Sequence, residues 1–218
     1  MIIANDSLQG QIETAEYKHH KSLMTKILGK FFKIDTESWA KFWGEKKQIS
    51  FMQYLEALGI QENQGFLSEK DIEKLLKKLK NPQNNDTITN ILDSVFFSKN
   101  KTCRLILAII TTKLAYSDSL DYIDLILIPA LRELYDKDLM YFCQFYQMPC
   151  VEKEPNFVYT ESNNVEEYLA LNKLLNLNIL GRDNVDRFGG DSSNILRFFK
   201  NAVSERLYDY ISIFISME

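Results

Sequence analysis

Apolar residues recur at steps of three and four through most of the first 150 residues, which is the spacing of one face of an α-helix. Residues 68–80 show this pattern most clearly. Residues 101–116 and 119–134 are so apolar that we expect two central helices there, and residues 136–148 predict one further short helix. Pro129 lies inside the second apolar segment and should kink or end its helix, because proline lacks the backbone N–H.

The pattern changes after residue 150. The run FVYT at 157–160 is β-prone, and a helix is predicted over 164–176 with Asn164 as its cap. The predicted buried face of that helix consists of Tyr168, Leu171, Leu174 and Leu175. Next, Leu175, Leu177 and Ile179 alternate with asparagines, which is the period of a strand.

The end of the chain predicts a loop, a helix and a strand, in that order. Residues 181–193 are rich in Gly, Asp and Arg and predict the loop, and residues 194–203 predict a short helix. The period of two at Ile211, Ile213 and Ile215 predicts a closing strand. These elements follow the plan of a winged helix-turn-helix. The alternative interpretation is that residues 165–215 form two further helices of a bundle.

The predicted fold class is therefore mainly α: a multi-helix bundle with a small winged-helix-like α/β element at its C-terminal end. The polar, proline-containing stretch NPQNND at 81–86 predicts a linker. It would separate an N-terminal helical region, 1–80, from central apolar helices at 87–150 and the winged-helix-like region at 151–218.

Composition supports a helical globular protein. The chain has 218 residues, of which 45% are hydrophobic and 26% charged, and only 8 Gly and 4 Pro argue against a many-turned β-sandwich. The longest apolar runs, Leu105–Ile110 and Leu125–Leu131, fall far short of the ~20 apolar residues that span a bilayer. The first residues lack the pattern of a signal peptide. We therefore expect a cytoplasmic protein without a membrane span.

Titratable residues provide no recognisable catalytic or metal motif. His19 and His20 are adjacent and would point about 100° apart on a helix, so they do not share a metal-binding side. Asp118 and Asp121 are explained as the cap and first-turn acid of the helix at 119–134, which makes a general acid or base role for Asp118, Asp121 and Asp124 a poor prediction.

The remaining candidate motifs are equally unspecific. The loop at 181–193 lacks the signature of a phosphate-binding P-loop and the spacing of a calcium-binding EF-hand. The three cysteines, Cys103, Cys143 and Cys150, show no CxxC spacing, so we expect no disulfide. We thus predict a non-enzymatic protein with no catalytic, cofactor-binding or metal-binding residue.

Two sets of residues are candidates for contacts with other molecules. A partial basic patch for nucleic acid is predicted from residues downstream of the 164–176 helix: Arg182, Arg187, Arg197, Lys200 and Arg206. However, the net charge of −4 does not favour nucleic acid, and the 164–176 helix is itself acidic. Trp39, Phe42 and Trp43 are candidates for a protein-interaction patch, with burial in the core as the alternative.

Three segments carry a resemblance to a known family. The runs KNKTCRLILAIITTKLA, IDLILIPALRELYDKDLMYFCQFY and EEYLALNKLLNLNIL resemble the bacterial abortive-infection alpha (Abi-alpha) proteins over roughly residues 99–216. Asn176-Leu177-Asn178-Ile179 stands where that family usually has Leu-Gly-Leu-Ile, so the glycine is absent. The resemblance implies a helical protein with a role in bacterial defence against phage and no catalytic residues to carry over.

Protein–protein contact is therefore the leading functional prediction, with phage defence as the setting that the resemblance implies. The partner is predicted to be a protein, and a second copy of the chain is one candidate. A winged-helix nucleic-acid binder, such as a transcriptional regulator, is the alternative.

Overall fold

The computed structural model describes residues 82–117, 119–150, 157–161, 164–182 and 195–215, and seven helical residues upstream: 47, 49, 50, 51, 53, 54 and 57. Within these ranges the protein is mainly helical, with a small antiparallel sheet near the C-terminus. The helices are α1 (Pro82–Phe97), α2 (Lys101–Tyr116), α3 (Tyr122–Glu133), α4 (Asp136–Gln147), α5 (Val165–Asn176) and α6 (Ala202–Ile215). The strands are β1 (Phe157–Glu161), β2 (Leu180–Arg182) and β3 (Ile195–Lys200).

The core is built around α2, whose apolar residues are buried along most of its length. Its fully buried side chains include Cys103, Ile106, Leu107 and Ile110. Helix α2 packs against α1, α3 and α6, which confirms the predicted central position of the 101–116 segment. Asn100 begins the helix, because its side chain accepts a hydrogen bond of 2.7 Å from the Cys103 amide.

Polar side chains fasten the upstream helical residues to α2. The Tyr54 hydroxyl donates to Thr111 Oγ1 at 2.8 Å, and burial raises the pKa of this hydroxyl well above its ordinary value. The buried Arg104 donates from Nε to Gln53 Oε1 at 2.8 Å and from its guanidinium to the Ser98 carbonyl at 2.9 Å. Hydrogen bonding thus offsets the cost of burying these groups.

The helix beginnings and ends differ from the sequence predictions at two prolines. The predicted linker at 81–86 is wrong from Pro82 onward, because α1 begins there. Proline suits the first turn of a helix, where its missing N–H would have no partner anyway. Of the two predicted effects of Pro129, a kink or an end of the helix, the end is wrong, because α3 continues through Pro129 to Glu133. Pro129 lies on the exposed side, where water can hydrogen-bond the carbonyl that loses its partner.

The sheet has β3 at its centre, in the order β1-β3-β2, with both pairs antiparallel. Phe198 of β3 lies opposite Val158 of β1 and Arg182 of β2 and is buried. Its ring meets the ring of Phe145 in α4 edge to face, with 5.7 Å between the centroids. This contact attaches the sheet to the helical core.

Helix α5 leads into β2 through a tight turn. The Ile179 amide donates to the Leu174 carbonyl at 2.9 Å and the Asn178 amide to the Leu175 carbonyl at 3.0 Å, which is the Schellman pattern of a helix end. Asn178 has the left-handed φ of 59° that this motif requires. The predicted strand at Leu175, Leu177 and Ile179 is therefore wrong in position, since the strand begins only at Leu180. The predicted strand FVYT is confirmed as part of β1.

The predicted order of the last two elements is reversed in the structure. Residues 195–200 form β3 instead of a helix, and α6 replaces the predicted strand at Ile211, Ile213 and Ile215. Helix α6 begins after Asn201, whose side-chain oxygen accepts hydrogen bonds from the amides of Val203 and Ser204. Its buried side chains follow steps of three and four: Val203, Leu207, Tyr210 and Ile211.

Gly181 leaves room for the Phe199 ring across the β2–β3 pair. A Cβ on Gly181 would lie 2.0 Å from Phe199 Cζ, so the ring would have to move. We expect Gly181→Ala to lower the free energy of unfolding by about 1–3 kcal/mol, as overpacking does elsewhere. Urea denaturation measures it, and adding Phe199→Leu should recover part of the loss. An unchanged unfolding curve for Gly181→Ala would show that the ring adjusts freely.

Candidate functional site

Helix α5 has one face in the core and one face in solvent. Asn164 begins it, accepting a hydrogen bond of 3.0 Å from the Glu166 amide, and Asn164 Nδ2 donates to the Tyr141 hydroxyl of α4 at 3.2 Å. Ala170, Leu171 and Leu174 are buried, and the helix packs on α4. The side chains opposite this buried face are therefore displayed on the surface.

The exposed carboxylate of Glu166 lies beside an uncharged line of side chains on α5. This line consists of Val165, Tyr168, Leu169, Asn172 and Asn176, and we call it the α5 stripe. The three apolar members are 70%, 45% and 60% exposed in that order. A surface helix normally presents charged and polar groups on its outer face, so an uncharged and half-apolar line of side chains is unusual there. Exposed apolar side chains that lie together indicate an interaction surface.

The charged residues beside the α5 stripe are engaged by α4. Lys173 Nζ lies 2.6 Å from Asp138 Oδ2, and Lys137 Nζ lies 2.8 Å from Glu166 Oε2. The hydrogen bond between Lys137 and Glu166 raises the pKa of the lysine and lowers the pKa of the carboxyl. Both pairs join α5 to α4, so they also fix the direction in which the α5 stripe faces.

Sequence reasoning missed this surface because it placed Tyr168 on the buried face. That prediction is wrong, whereas the predicted burial of Leu171 and Leu174 is confirmed. The signal was present: Val165, Tyr168 and Leu169 are spaced i, i+3 and i+4 and form a second apolar line beside the buried one. The helix is thus apolar on two sides, and the described part of the protein covers one of them.

A group of polar and charged side chains joins α2, α3 and α6. We call it the Asp124 network, and its members are Lys113, Asp121, Asp124, Arg206 and Tyr210. The Asp124 side chain is completely buried and accepts from Lys113 at 2.5 Å, from the Tyr210 hydroxyl at 2.7 Å and from Arg206 at 3.4 Å. Asp121 is the N-cap of α3 and pairs with Lys113 at 2.7 Å and Arg206 at 3.0 Å.

Every carboxylate in the Asp124 network is engaged by a cation. Burial raises the pKa of Asp121, but the hydrogen bonds from Lys113, the Asp124 amide and Arg206 outweigh it and hold that pKa well below its usual range. Burial also raises the pKa of Tyr210 well above its ordinary value. The prediction of Asp121 as first-turn acid is wrong by one turn, since Asp121 is the cap and Asp124 the first-turn acid. The arrangement is that of a structural ion-pair network.

Of the predicted basic patch, the structure describes the side chains of Lys200 and Arg206, and both donate to groups within the protein. Lys200 donates to the carbonyls of Tyr146 at 2.6 Å and Met148 at 3.2 Å, where it caps the C-terminal end of α4. Arg206 belongs to the Asp124 network. Arg182 of β2 pairs with Phe198 of β3, and Arg197 of β3 pairs with Tyr159 of β1. Arg187 lies outside the described residues.

Several other predicted candidates also lie outside the described residues: Trp39, Phe42, Trp43, His19, His20 and Asp118. The cysteines are free thiols, and burial raises the pKa of Cys103 to about 12. Among the described residues, no His, Cys, Asp and Glu side chains converge in a way that could hold a metal ion. None of the described helices is long and apolar enough to cross a bilayer.

Comparison with known proteins adds no relative to this picture: no protein-family model, no curated protein and no solved structure gives a significant match to the chain.

Proposed function

We propose that this protein is a non-enzymatic component that acts by binding another protein through the α5 stripe. The observation that carries the proposal is the exposure of Val165, Tyr168 and Leu169 along an uncharged line of side chains on the outside of α5. Tyrosine is enriched among the residues that dominate binding energy at protein interfaces. The spacing of the apolar side chains is that of helices that dock along one face.

The same surface disfavours nucleic acid as the ligand. A protein that binds nucleic acid draws much of its affinity from lysine and arginine contacts to phosphates. The α5 stripe offers no such group, and Lys173 beside it is paired with Asp138. Two of the predicted phosphate contacts, Lys200 and Arg206, donate to groups within the protein. Protein contact therefore ranks above the winged-helix nucleic-acid binder.

The biological setting that we propose is defence against phage, in the bacterial cytoplasm. The support is the resemblance to the Abi-alpha proteins, which spans α2 to α6. In this setting the α5 stripe would bind a protein that is present in the infected cell.

Substituting glutamate in the α5 stripe tests the proposal. We expect Tyr168→Glu to reduce recovery of the bound partner at least tenfold when the tagged protein is chemically crosslinked in its host and then purified, since it places a charge in an apolar contact. The matched control is Tyr122→Glu, because Tyr122 is 77% exposed on α3. Each purification is done with and without nuclease, and partners are identified by mass spectrometry.

The outcomes separate the candidate functions. A partner that survives nuclease, is retained by Tyr122→Glu and is lost by Tyr168→Glu supports the proposal. Equal recovery with both variants, or recovery of nucleic acid alone, contradicts it. Phage plating on cells with the wild-type gene should fall relative to cells without it, and Tyr168→Glu should restore plating. Equal plating with and without the wild-type gene would contradict the defence setting alone.

A further inference from the structure

The charges that flank the α5 stripe are arranged with opposite signs at its two ends. Glu166 lies at the N-terminal end and Lys173 at the C-terminal end, seven residues or ~10 Å apart along the axis. Both lie on the flank that faces α4, because both pair with α4 residues, Lys137 and Asp138. This flank, which runs parallel to the α5 stripe, therefore carries a negative charge near the N-terminal end of the helix and a positive charge near its C-terminal end.

Two copies of this flank are complementary in charge when their helices run antiparallel. A two-fold axis perpendicular to two facing helices makes them antiparallel and keeps equivalent flanks on the same side. Glu166 of each copy then lies beside Lys173 of the other, whereas a two-fold axis parallel to the helices would place the two charged flanks on opposite sides of the interface, out of contact. The helix dipoles also oppose each other in the antiparallel pair. Because each charge already has a partner on α4, this complementarity selects orientation more than it adds affinity.

We infer that the occupant of the α5 stripe is a second copy of this chain, bound with its α5 antiparallel to the first. The inference rests on the proposed function and names its partner. Tyr168 and Leu169 lie next to the two-fold axis and cover the same residues of the other copy. Val165 of each copy lies near Asn172 of the other, so the apolar overlap is centred on Tyr168 and Leu169, and Asn176 lies at either end of the contact.

The size of the surface sets the strength of the dimer. Three partly exposed side chains on a helix of 12 residues offer far less than the ~800 Å² per partner of a standard stable interface. We therefore expect a reversible dimer with a dissociation constant on the order of tens of micromolar, observed by its concentration dependence.

Sedimentation velocity of the full chain from ~1 to ~500 µM, a range chosen to bracket that dissociation constant, tests the inference. Wild type is expected to shift from monomer to dimer, and Leu169→Glu is expected to weaken dimerisation at least tenfold. Tyr122→Glu on α3 should behave as wild type. Thermal melts of both variants check that folding is kept, which the exposure of both side chains favours.

Orientation is tested by mixing two cysteine variants, Val165→Cys and Asn172→Cys. Under oxidising conditions an antiparallel pair should form the mixed disulfide dimer in excess over either like-with-like dimer. Wild type and Tyr122→Cys report the background from Cys143 and Cys150, which are partly buried.

The results distinguish this inference from the proposed function. A wild-type protein that stays monomeric throughout overturns the second copy as occupant, and so does a dimer that Leu169→Glu leaves intact. An excess of like-with-like disulfides overturns the antiparallel arrangement. If the chain is monomeric while Tyr168→Glu still loses a different partner in purification, the proposed function stands without this inference.

Discussion

Phe145→Ala is expected to lower the free energy of unfolding by about 3–5 kcal/mol, the usual cost of removing a buried phenylalanine. Phe145 is 1% exposed and lies in α4, where its ring meets Phe198 of β3 edge to face. The substitution leaves a cavity at the place where the sheet joins the helical core. It also removes an aromatic pair whose geometry contributes beyond the buried area.

Urea denaturation of the wild type and the variant measures this loss, and Phe97→Ala is the matched control. Phe97 lies on α1 and is 41% exposed, with Lys47 and Arg132 near its ring, so its removal should cost about 1 kcal/mol. Phe145→Leu should cost less than Phe145→Ala and serves as the second variant if alanine prevents folding. If Phe145→Ala lowers the free energy of unfolding no more than Phe97→Ala, the contact between the sheet and the helical core is not important for stability.

The long helices could be predicted from sequence because their information is local. The segment 101–116 repeats buried positions over four turns, and Asn100 and Asn164 are side chains that cap helices by contacts within three residues. Periodicity of this length distinguishes helix from strand without knowledge of the rest of the fold. The buried face of α2 follows directly from it.

The C-terminal elements were predicted in the wrong order because they are short and depend on distant partners. Ile211, Ile213 and Ile215 alternate, but Leu207, Tyr210 and Ile211 also fit a helix, and the local pattern does not decide between them. Strand β3 pairs with β1, some forty residues earlier in the chain, as in Phe199 opposite Phe157. Pairing over such a separation leaves little trace in a single sequence.

The candidate surface and the Asp124 network were beyond sequence reasoning for a related reason. The apolar spacing of α5 was visible, but which of its two apolar lines α4 covers is a tertiary property. The Asp124 network joins residues 85 positions apart, Asp121 and Arg206. From the sequence alone, acidic residues at the start of a helix are adequately explained by capping and the helix dipole. Only the folded structure shows that Arg206 of α6 pairs with them.

Asp124→Asn is expected to lower the free energy of unfolding by about 3 kcal/mol, the lower end of the cost of removing one partner from a buried ion pair. Asp124 is fully buried, and its two oxygens accept from Lys113, Arg206 and Tyr210. Asparagine keeps the shape but presents an amide donor toward at least one of these donors. Lys113 and Arg206 retain part of their solvation, which keeps the loss below that of a wholly buried pair.

Asp121→Asn is the matched control, since it makes the same chemical change three residues earlier in the same network. Asp121 is 42% exposed, and asparagine is an equally good N-cap, so we expect a loss below about 1 kcal/mol. Urea denaturation at neutral pH compares the two. Equal losses would show that water reaches Asp124 and screens its charge. A larger loss at Asp124 would show that one buried carboxylate holds α6 against α2 and α3. This contact needs residues from all three helices, so the sequence of α3 or of α6 alone does not predict it.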